Sequence, residues 1–168
     1  TGGEKMELGK FCDIADDFKH GKNFKCGSFV KIDEDVIVGD DVTIENFVLL
    51  KQGTRIGNNV FVDSYFRSSG NNKIGNNVTL RFGSTIAREV TVEDDVFISP
   101  NVMTVYSRHS GEKVGGTTVG KGSHIGTAAV IGPGVKIASG SVIGSQAYVS
   151  KDITEAGIYV GVPAVKKK

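Results

Sequence analysis

The chain has 168 residues, enough for one domain with a buried core, and its 20 Lys and Arg residues nearly balance 19 Asp and Glu residues, giving a net charge of +1. This balance argues against nucleic-acid-binding and membrane-surface proteins, which need a strong basic excess. No apolar run approaches the roughly 18 residues of a membrane span, no signal-peptide pattern opens the chain, and two cysteines are too few for a disulfide scaffold. We therefore expect a cytoplasmic protein with no membrane span.

The first segment, residues 1–23, shows no repeat and carries several charges. It is interpreted as an N-terminal arm or cap, with His20 on its surface. Cys12 has no evident partner.

A repeat of six residues begins at Cys26 and continues without a break to Thr104. From Ile32 onward, eleven of the thirteen positions at this spacing are Ile, Val or Leu, and the exceptions are Ser68 and Thr104. A helix would place apolar residues about every 3.6 positions. A period of six instead fits a short strand with two inward side chains, followed by a corner where Gly, Asn or Asp adopts a left-handed backbone. Three such units form a triangular coil, so the sequence predicts an all-β parallel β-helix over 24–152.

One interruption divides this repeat. Thr104 and Val119 are fifteen residues apart, which is not a multiple of six, so a loop is predicted to leave the solenoid near 105–116. Loops on a rigid scaffold often carry chemistry, and this one contains His109, one of three histidines. The repeat resumes from Val119 to Val149 and is absent from 153–168, which we interpret as a C-terminal tail or cap.

Several segments resemble the hexapeptide-repeat acyltransferases, most closely the sugar and nucleotide-sugar acetyltransferases. The resemblance covers about residues 26–165 and is carried by 99–110, 125–135, 149–153 and 160–164, the last containing Gly161-Val162-Pro163-Ala164. It implies a left-handed β-helix, a homotrimer, and acetyl-coenzyme A as co-substrate in a groove between subunits, with no metal required.

The same resemblance implies roles for individual residues. His109 would be the catalytic base. Thr127 and Ser145 would flank the pantetheine arm of the coenzyme. Its phosphates would lie near three basic residues, Lys151, Lys166 and Lys168. The acceptor would be bound by Arg81 and Asn101. Histidine suits a base because an unperturbed imidazole titrates near pH 6.5.

Alternatives remain at this point. The favoured acceptor is an amino group of a nucleotide-linked sugar; a sugar or polysaccharide hydroxyl is the second choice, and a non-catalytic scaffold is the alternative from another class. His109 alone in a polar loop is also compatible with a solvated side chain. Glu89 and Glu112 are candidates to orient it, and His124 is expected to face outward, where it has a smaller chance of lining the groove. Gly115 to Lys121 mimics a phosphate-binding loop but lacks the required Ser or Thr and the following helix.

Overall fold

The computed structural model describes residues 6–168 as a solenoid of about eight turns, built from three parallel sheets. Most coils advance by 18 residues, as in the pairing of Ile74 with Val92. The predicted left-handed parallel β-helix is confirmed. Among the described residues there is no helix, so no described segment crosses a membrane as a long apolar helix.

The strands define three faces of a triangular prism. The first face contains Glu7–Leu8, Lys25–Cys26, Thr43–Ile44, Phe61–Val62, Thr79–Leu80, Phe97–Ile98, His124–Ile125, Val142–Ile143, Ile158–Val160 and Val165–Lys166. The second face contains Asp13–Ile14, Lys31–Ile32, Leu49–Leu50, Arg67–Ser68, Thr85–Ile86, Met103–Thr104, Val130–Ile131 and Tyr148–Val149. The third face contains Ile37–Val38, Arg55–Ile56, Lys73–Ile74, Thr91–Val92, Thr118–Val119 and Lys136–Ile137.

Three corners join these faces. The first corner lies between the first and second faces (residues 99–102 in one coil). The second corner lies between the second and third faces (residues 87–90). The third corner leads back to the first face (residues 93–96).

The core is a column of stacked aliphatic side chains. From Lys25–Cys26 to Tyr148–Val149, the second residue of each strand points inward and the first outward, because neighbouring side chains of a strand alternate. Ser68 and Thr104, the two polar residues at inward positions of the repeat, both have hydrogen-bond partners. The hydroxyl oxygens of Ser68 and Thr54 are 2.6 Å apart, and Thr104 Oγ1 accepts the Ala87 N–H at 2.7 Å. Within residues 6–168, no buried side-chain nitrogen or oxygen lacks a hydrogen-bond partner.

Left-handed backbone at the corners is confirmed, although not only Gly, Asn and Asp adopt it. At the first corner, Phe29, Phe47 and Tyr65 have φ values of 58°, 57° and 62°. For a residue with a Cβ atom, this left-handed conformation is unfavourable by roughly 1–2 kcal/mol. Their rings stack at 4.9 and 5.0 Å, which provides offsetting contacts between successive coils.

The segment predicted as an N-terminal arm or cap over 1–23 pairs with the solenoid in its described part. Glu7–Leu8 pairs with Lys25–Cys26 and Asp13–Ile14 pairs with Lys31–Ile32, so the first coil of the solenoid begins before residue 24. His20 is half-buried against Phe24, with ring centroids 5.2 Å apart, and is not a free surface residue. The repeat is hard to see there because the step of six back from Cys26 meets His20 before it reaches Ile14 and Leu8. Residues 1–5 of the predicted arm lie outside the described part.

At the other end, the first face finishes in a hairpin. Ile158–Val160 continues this face, and Val165–Lys166 pairs with it in the antiparallel direction. Val165–Lys166 is the edge strand of the first-face sheet in the described residues.

The two cysteines are expected to differ in reactivity. Burial raises the pKa of the Cys26 thiol to about 12, whereas Cys12 is half-buried. Because the thiolate is the reactive form, iodoacetamide at pH 8 should modify Cys12 but not Cys26 in the native protein, and both cysteines in urea. Mass spectrometry of the labelled peptides measures this, and native labelling of Cys26 as fast as Cys12 would contradict it.

Candidate functional site

The predicted loop is a short hairpin at the second corner. The coil from Val92 to Val119 spans 27 residues, nine more than the usual 18, so the loop adds nine residues without changing the register. Ser107 and Lys113 form an antiparallel bridge, and the Val114 N–H donates to the Tyr106 carbonyl at 2.8 Å. These bonds give the loop a defined shape, with 108–112 at its tip.

The base of the hairpin is held by the coils on both sides. Tyr106 donates its hydroxyl to Glu89 Oε1 at 3.3 Å in the coil below. On the side of the coil above, Val114 lies so close to Gly134 that a Cβ there would come within 2.6 Å of Val114 Cγ1. Gly134 also has a φ of +73°, so this close approach depends on glycine. The solenoid therefore sets the direction in which the hairpin leaves.

His109 lies exposed at the hairpin tip. No hydrogen bond, ion pair or ring contact joins its imidazole to another residue of 6–168. Glu112 forms an ion pair with Arg108 at 2.7 Å, and Glu89 accepts from Tyr106. Neither of the two carboxylates considered as orienting groups contacts His109.

Four of the predicted site residues share the first corner instead. Arg81, Asn101, Thr127 and Ser145 lie there in successive coils, all exposed. Backbone bonds fix the column: the Ala128 N–H donates to Pro100 O at 3.0 Å and the Gln146 N–H donates to Thr127 O at 2.8 Å. Gly126, Ala128 and Gly144 make this part of the corner small and uncharged, and Gln146 is exposed beside Ser145.

Two members of this column already have partners within the chain. Arg81 Nε donates to Asp63 Oδ2 at 3.1 Å. Asn101 has a φ of 57°. Its side-chain oxygen packs against Gly83, where an added Cβ atom would lie 2.5 Å from that oxygen. Both contacts stabilise neighbouring coils, independently of any ligand.

The three predicted phosphate-binding lysines are separated. Lys151 lies exposed at the second corner, beyond the hairpin, whereas Lys166 and Lys168 belong to the C-terminal end. Lys166 pairs with Glu155 at 2.8 Å, and this hydrogen bond raises the pKa of the Lys166 ammonium. Lys166 is therefore partly occupied within its own chain.

Within one chain, His109 and the first-corner column are far apart. The second face separates the two corners by up to ~20 Å, taking six residues at about 3.3 Å each. From Val105 to His109 the hairpin extends by at most ~13 Å on the same basis. The hairpin and the column of Thr127 and Ser145 therefore lie at opposite ends of the second face.

A cleft of about 540 Å³ opens elsewhere, on the third face. Its lining includes three cations, Arg55, Lys73 and Lys121, and none of the predicted site residues. Arg55 pairs with Asp35 at 2.6 Å and Lys121 with Asp95 at 3.6 Å. Because two of its cations are neutralised and it lies on another face, we do not place the site there.

Sequence analysis missed the contacts of His124. Its ring stacks on Phe97, with centroids 4.9 Å apart and planes 8° apart, and its Nε2 is 3.3 Å from Ser99 Oγ. The prediction that His124 faces outward is confirmed. Its neighbours were hidden because Phe97 precedes His124 by 27 residues, a separation that identifies a stacked pair only after the length of the insertion is known.

Comparison with known proteins agrees with this architecture. The family model described as bacterial transferase hexapeptide (six repeats) matches residues 116–151, the coils that follow the hairpin. Galactoside O-acetyltransferase of Escherichia coli (strain K12) is 39% identical over 83 residues, covering 44% of this chain and 41% of the relative. Chloramphenicol acetyltransferase of Klebsiella aerogenes is 44% identical over 57 residues, covering 34% of this chain and 27% of the relative. The match thus spans less than half of either relative's length.

A solved structure extends the similarity over nearly the whole solenoid. The acetyltransferase domain of PglB from Neisseria gonorrhoeae FA1090, in complex with acetyl coenzyme A, aligns with a TM-score of 0.56 and 18% identity. The alignment covers 93% of this chain and 57% of that one. At this identity the likeness concerns the fold. Together with the six-residue repeat and the triangular coils, it shows that the chain has the fold of a left-handed β-helix, and the hexapeptide family model matches residues 116–151 of it.

Proposed function

We propose that this protein is an acetyl-coenzyme A-dependent acetyltransferase that acts on a sugar, with an amino group of a nucleotide-linked sugar as the favoured acceptor. The observation that carries the proposal is the exposed His109, held on an anchored hairpin at the level of the small-residue first corner. The similarity to galactoside O-acetyltransferase and to a solenoid bound to acetyl coenzyme A supports the reaction class.

The first corner suits the extended arm of the coenzyme. Thr127 and Ser145 follow Gly126 and Gly144, so this stretch of the corner carries small, uncharged side chains. Lys151 and Lys168 are exposed cations available to the phosphates. A flexible, uncharged arm matches this small-residue surface, and the phosphates at its end match lysines that lie away from the first corner.

The separation of the two corners supports a site shared between subunits. The hairpin leaves the solenoid between the coil of Asn101 and the coil of Thr127. In a homotrimer whose axis runs along the solenoid, a neighbouring chain would present its Thr127 at the same height. We place His109 of one chain beside the Thr127 column of its neighbour in that arrangement.

This arrangement predicts the mass in solution. Light scattering should give about three times the chain mass of 17.8 kDa, independent of concentration in the micromolar range. A monomer at these concentrations would contradict the shared site, whereas a trimer containing His109→Ala shows that assembly does not need the imidazole.

Within this site, the roles of the residues follow from their chemistry. Acetyl-coenzyme A supplies a thioester carbonyl that an acceptor attacks directly. His109 takes the proton from the attacking amine or hydroxyl, a task that suits an imidazole near neutral pH. The channel of Thr127 and Ser145 holds the donor arm, and Arg81 and Asn101 contact the acceptor. Holding both reactants in place lowers the entropic cost of their encounter.

The proposed location is the cytoplasm. Cys12 and Cys26 are both free in the structure. Thiols remain reduced in that compartment, so the two side chains fit it.

The test is thiol release from acetyl-coenzyme A with a panel of amino-sugar nucleotides, free sugars and polysaccharide fragments. Release with one amino-sugar nucleotide supports the favoured acceptor, whereas release with a hydroxyl acceptor alone supports O-acetylation. No release with any acceptor, together with no coenzyme binding by calorimetry, would favour the non-catalytic scaffold.

A further inference from the structure

Two histidines, His109 and His124, lie outside the first coil, and of these His124 is the one with side-chain contacts to other described residues. Phe97 and His124 are aligned in the parallel register of the first face, and their nearly parallel rings are 4.9 Å apart. Ser99 Oγ lies 3.3 Å from Nε2 at the edge of the same ring. One contact fixes the plane of the imidazole and the other fixes its rotation. The second ring nitrogen, Nδ1, has no partner among the described residues.

This pair belongs to the same part of the solenoid as the proposed donor channel. His124 precedes Thr127 by three residues, and Ser99 precedes Asn101 by two. The Ser99 N–H donates to Ile125 O at 2.9 Å, which joins the two coils directly beneath His124. The Cα atom of His124 therefore lies within about 10 Å of the Cα atom of Thr127, at ~3.3 Å per residue.

His109 and His124 thus differ in both place and support. His109 is exposed on a hairpin tip at the second corner, without a contact to another described residue. His124 is held by two side chains beside the first corner. A preorganised group with a free nitrogen next to a substrate channel is suited to proton transfer.

We propose that His124 is a second functional histidine, which hydrogen-bonds the thioester sulfur of the acyl donor and protonates the departing thiolate. The inference rests on the proposed acetyl transfer. The acceptor nitrogen or oxygen forms the new bond to the carbonyl carbon, and the carbon–sulfur bond breaks. His109 of the neighbouring subunit takes the acceptor proton, and the imidazolium of His124 gives its proton to the sulfur. After exchange with water both side chains return to their starting forms.

Phe97 and Ser99 are positioning residues in this scheme. Ser99 is 5% exposed, so its hydroxyl is directed at the His124 ring rather than at a substrate. Removal of the Ser99 hydroxyl allows the His124 imidazole to rotate, but the proton donor itself is still present. We expect Ser99→Ala to lower kcat by a smaller factor than loss of His124 itself.

The test compares His124→Gln with the control His20→Gln in the full chain. His20 also packs on an aromatic ring, with centroids 5.2 Å apart, but lies in the first coil, far from both corners of the site. For His124→Gln we expect kcat to fall roughly 10²-fold, the lower range for general acid catalysis, with KM for acetyl-coenzyme A within twofold. The pH profile of kcat should lose its alkaline decline. His20→Gln should retain kcat, KM and the pH profile.

A second readout does not depend on turnover. The imidazole resonances of His124 should shift in NMR spectra when coenzyme A is added, while those of His20 should remain unchanged. Wild-type kcat and pH profile in His124→Gln would overturn the inference, as would a raised KM with unchanged kcat, which indicates binding alone. Either result with an active wild-type enzyme leaves the acetyltransferase proposal intact. A wild-type protein that neither binds coenzyme A nor releases thiol removes both.

Discussion

Replacing His109 with alanine should lower kcat/KM by about 10²- to 10⁴-fold while leaving the proposed trimer and the stability of the fold unchanged. The expected factor is that of a general base positioned at the attacking group. The fold should not be affected, because the imidazole is exposed and no contact joins it to another described residue. The measurement is thiol release at saturating acceptor, alongside thermal unfolding of both proteins.

The matched control is Lys113→Ala on the return strand of the same hairpin. Lys113 joins the hairpin through its backbone bridge to Ser107, and its side chain is exposed. The control should therefore retain activity within a few-fold. If His109→Ala turned over as fast as wild type, the base would have to be another group.

The largest effect on stability is expected from the core, where Phe66→Ala should lower the free energy of unfolding by about 3–5 kcal/mol. Phe66 is 1% exposed and is the largest fully buried side chain. Its removal leaves a cavity between stacked coils, because hydrogen-bonded strands on three faces limit the collapse of the prism. Denaturation in urea, followed by circular dichroism, measures the change.

Phe61→Ala is the control, since it removes the same side chain from an outward position that is 36% exposed. Its effect should be much smaller than that of Phe66→Ala. Phe66→Leu retains most of the volume and should cost less than about 1.5 kcal/mol, which keeps the comparison measurable if the alanine variant does not fold. Equal losses for the two alanine variants would contradict the assignment of the inward and outward faces.

The sequence alone identified the fold because the solenoid is a local structure repeated. Each unit of six residues encodes its own strand, inward side chains and corner, and residues such as Ile32, Ile44 and Ile56 repeat this information. The limits of the repeat were less visible. Leu8 and Ile14 belong to strands of the first described coil, and His20 interrupts the apolar series between them and Cys26.

The sequence also located the insertion and its histidine. A spacing of fifteen residues between Thr104 and Val119 shows that a loop leaves the solenoid there, and the resemblance to hexapeptide-repeat acyltransferases singled out His109. Neither observation gives the direction of the loop. That direction depends on Glu89 and Gly134, which contact the hairpin from the coils below and above.

The composition and the six-residue period thus determined that this chain is a β-solenoid interrupted by one loop, since the repeat and its interruption are encoded by residues close together in the sequence. Only the tertiary structure decided that His109 and the column of Thr127 and Ser145 occupy different corners, and that His124 rests on Phe97 and Ser99. These relations join residues one coil or more apart. Their distances depend on how many residues each coil contains and on which corner takes the insertion, and these become measurable when the coils are stacked.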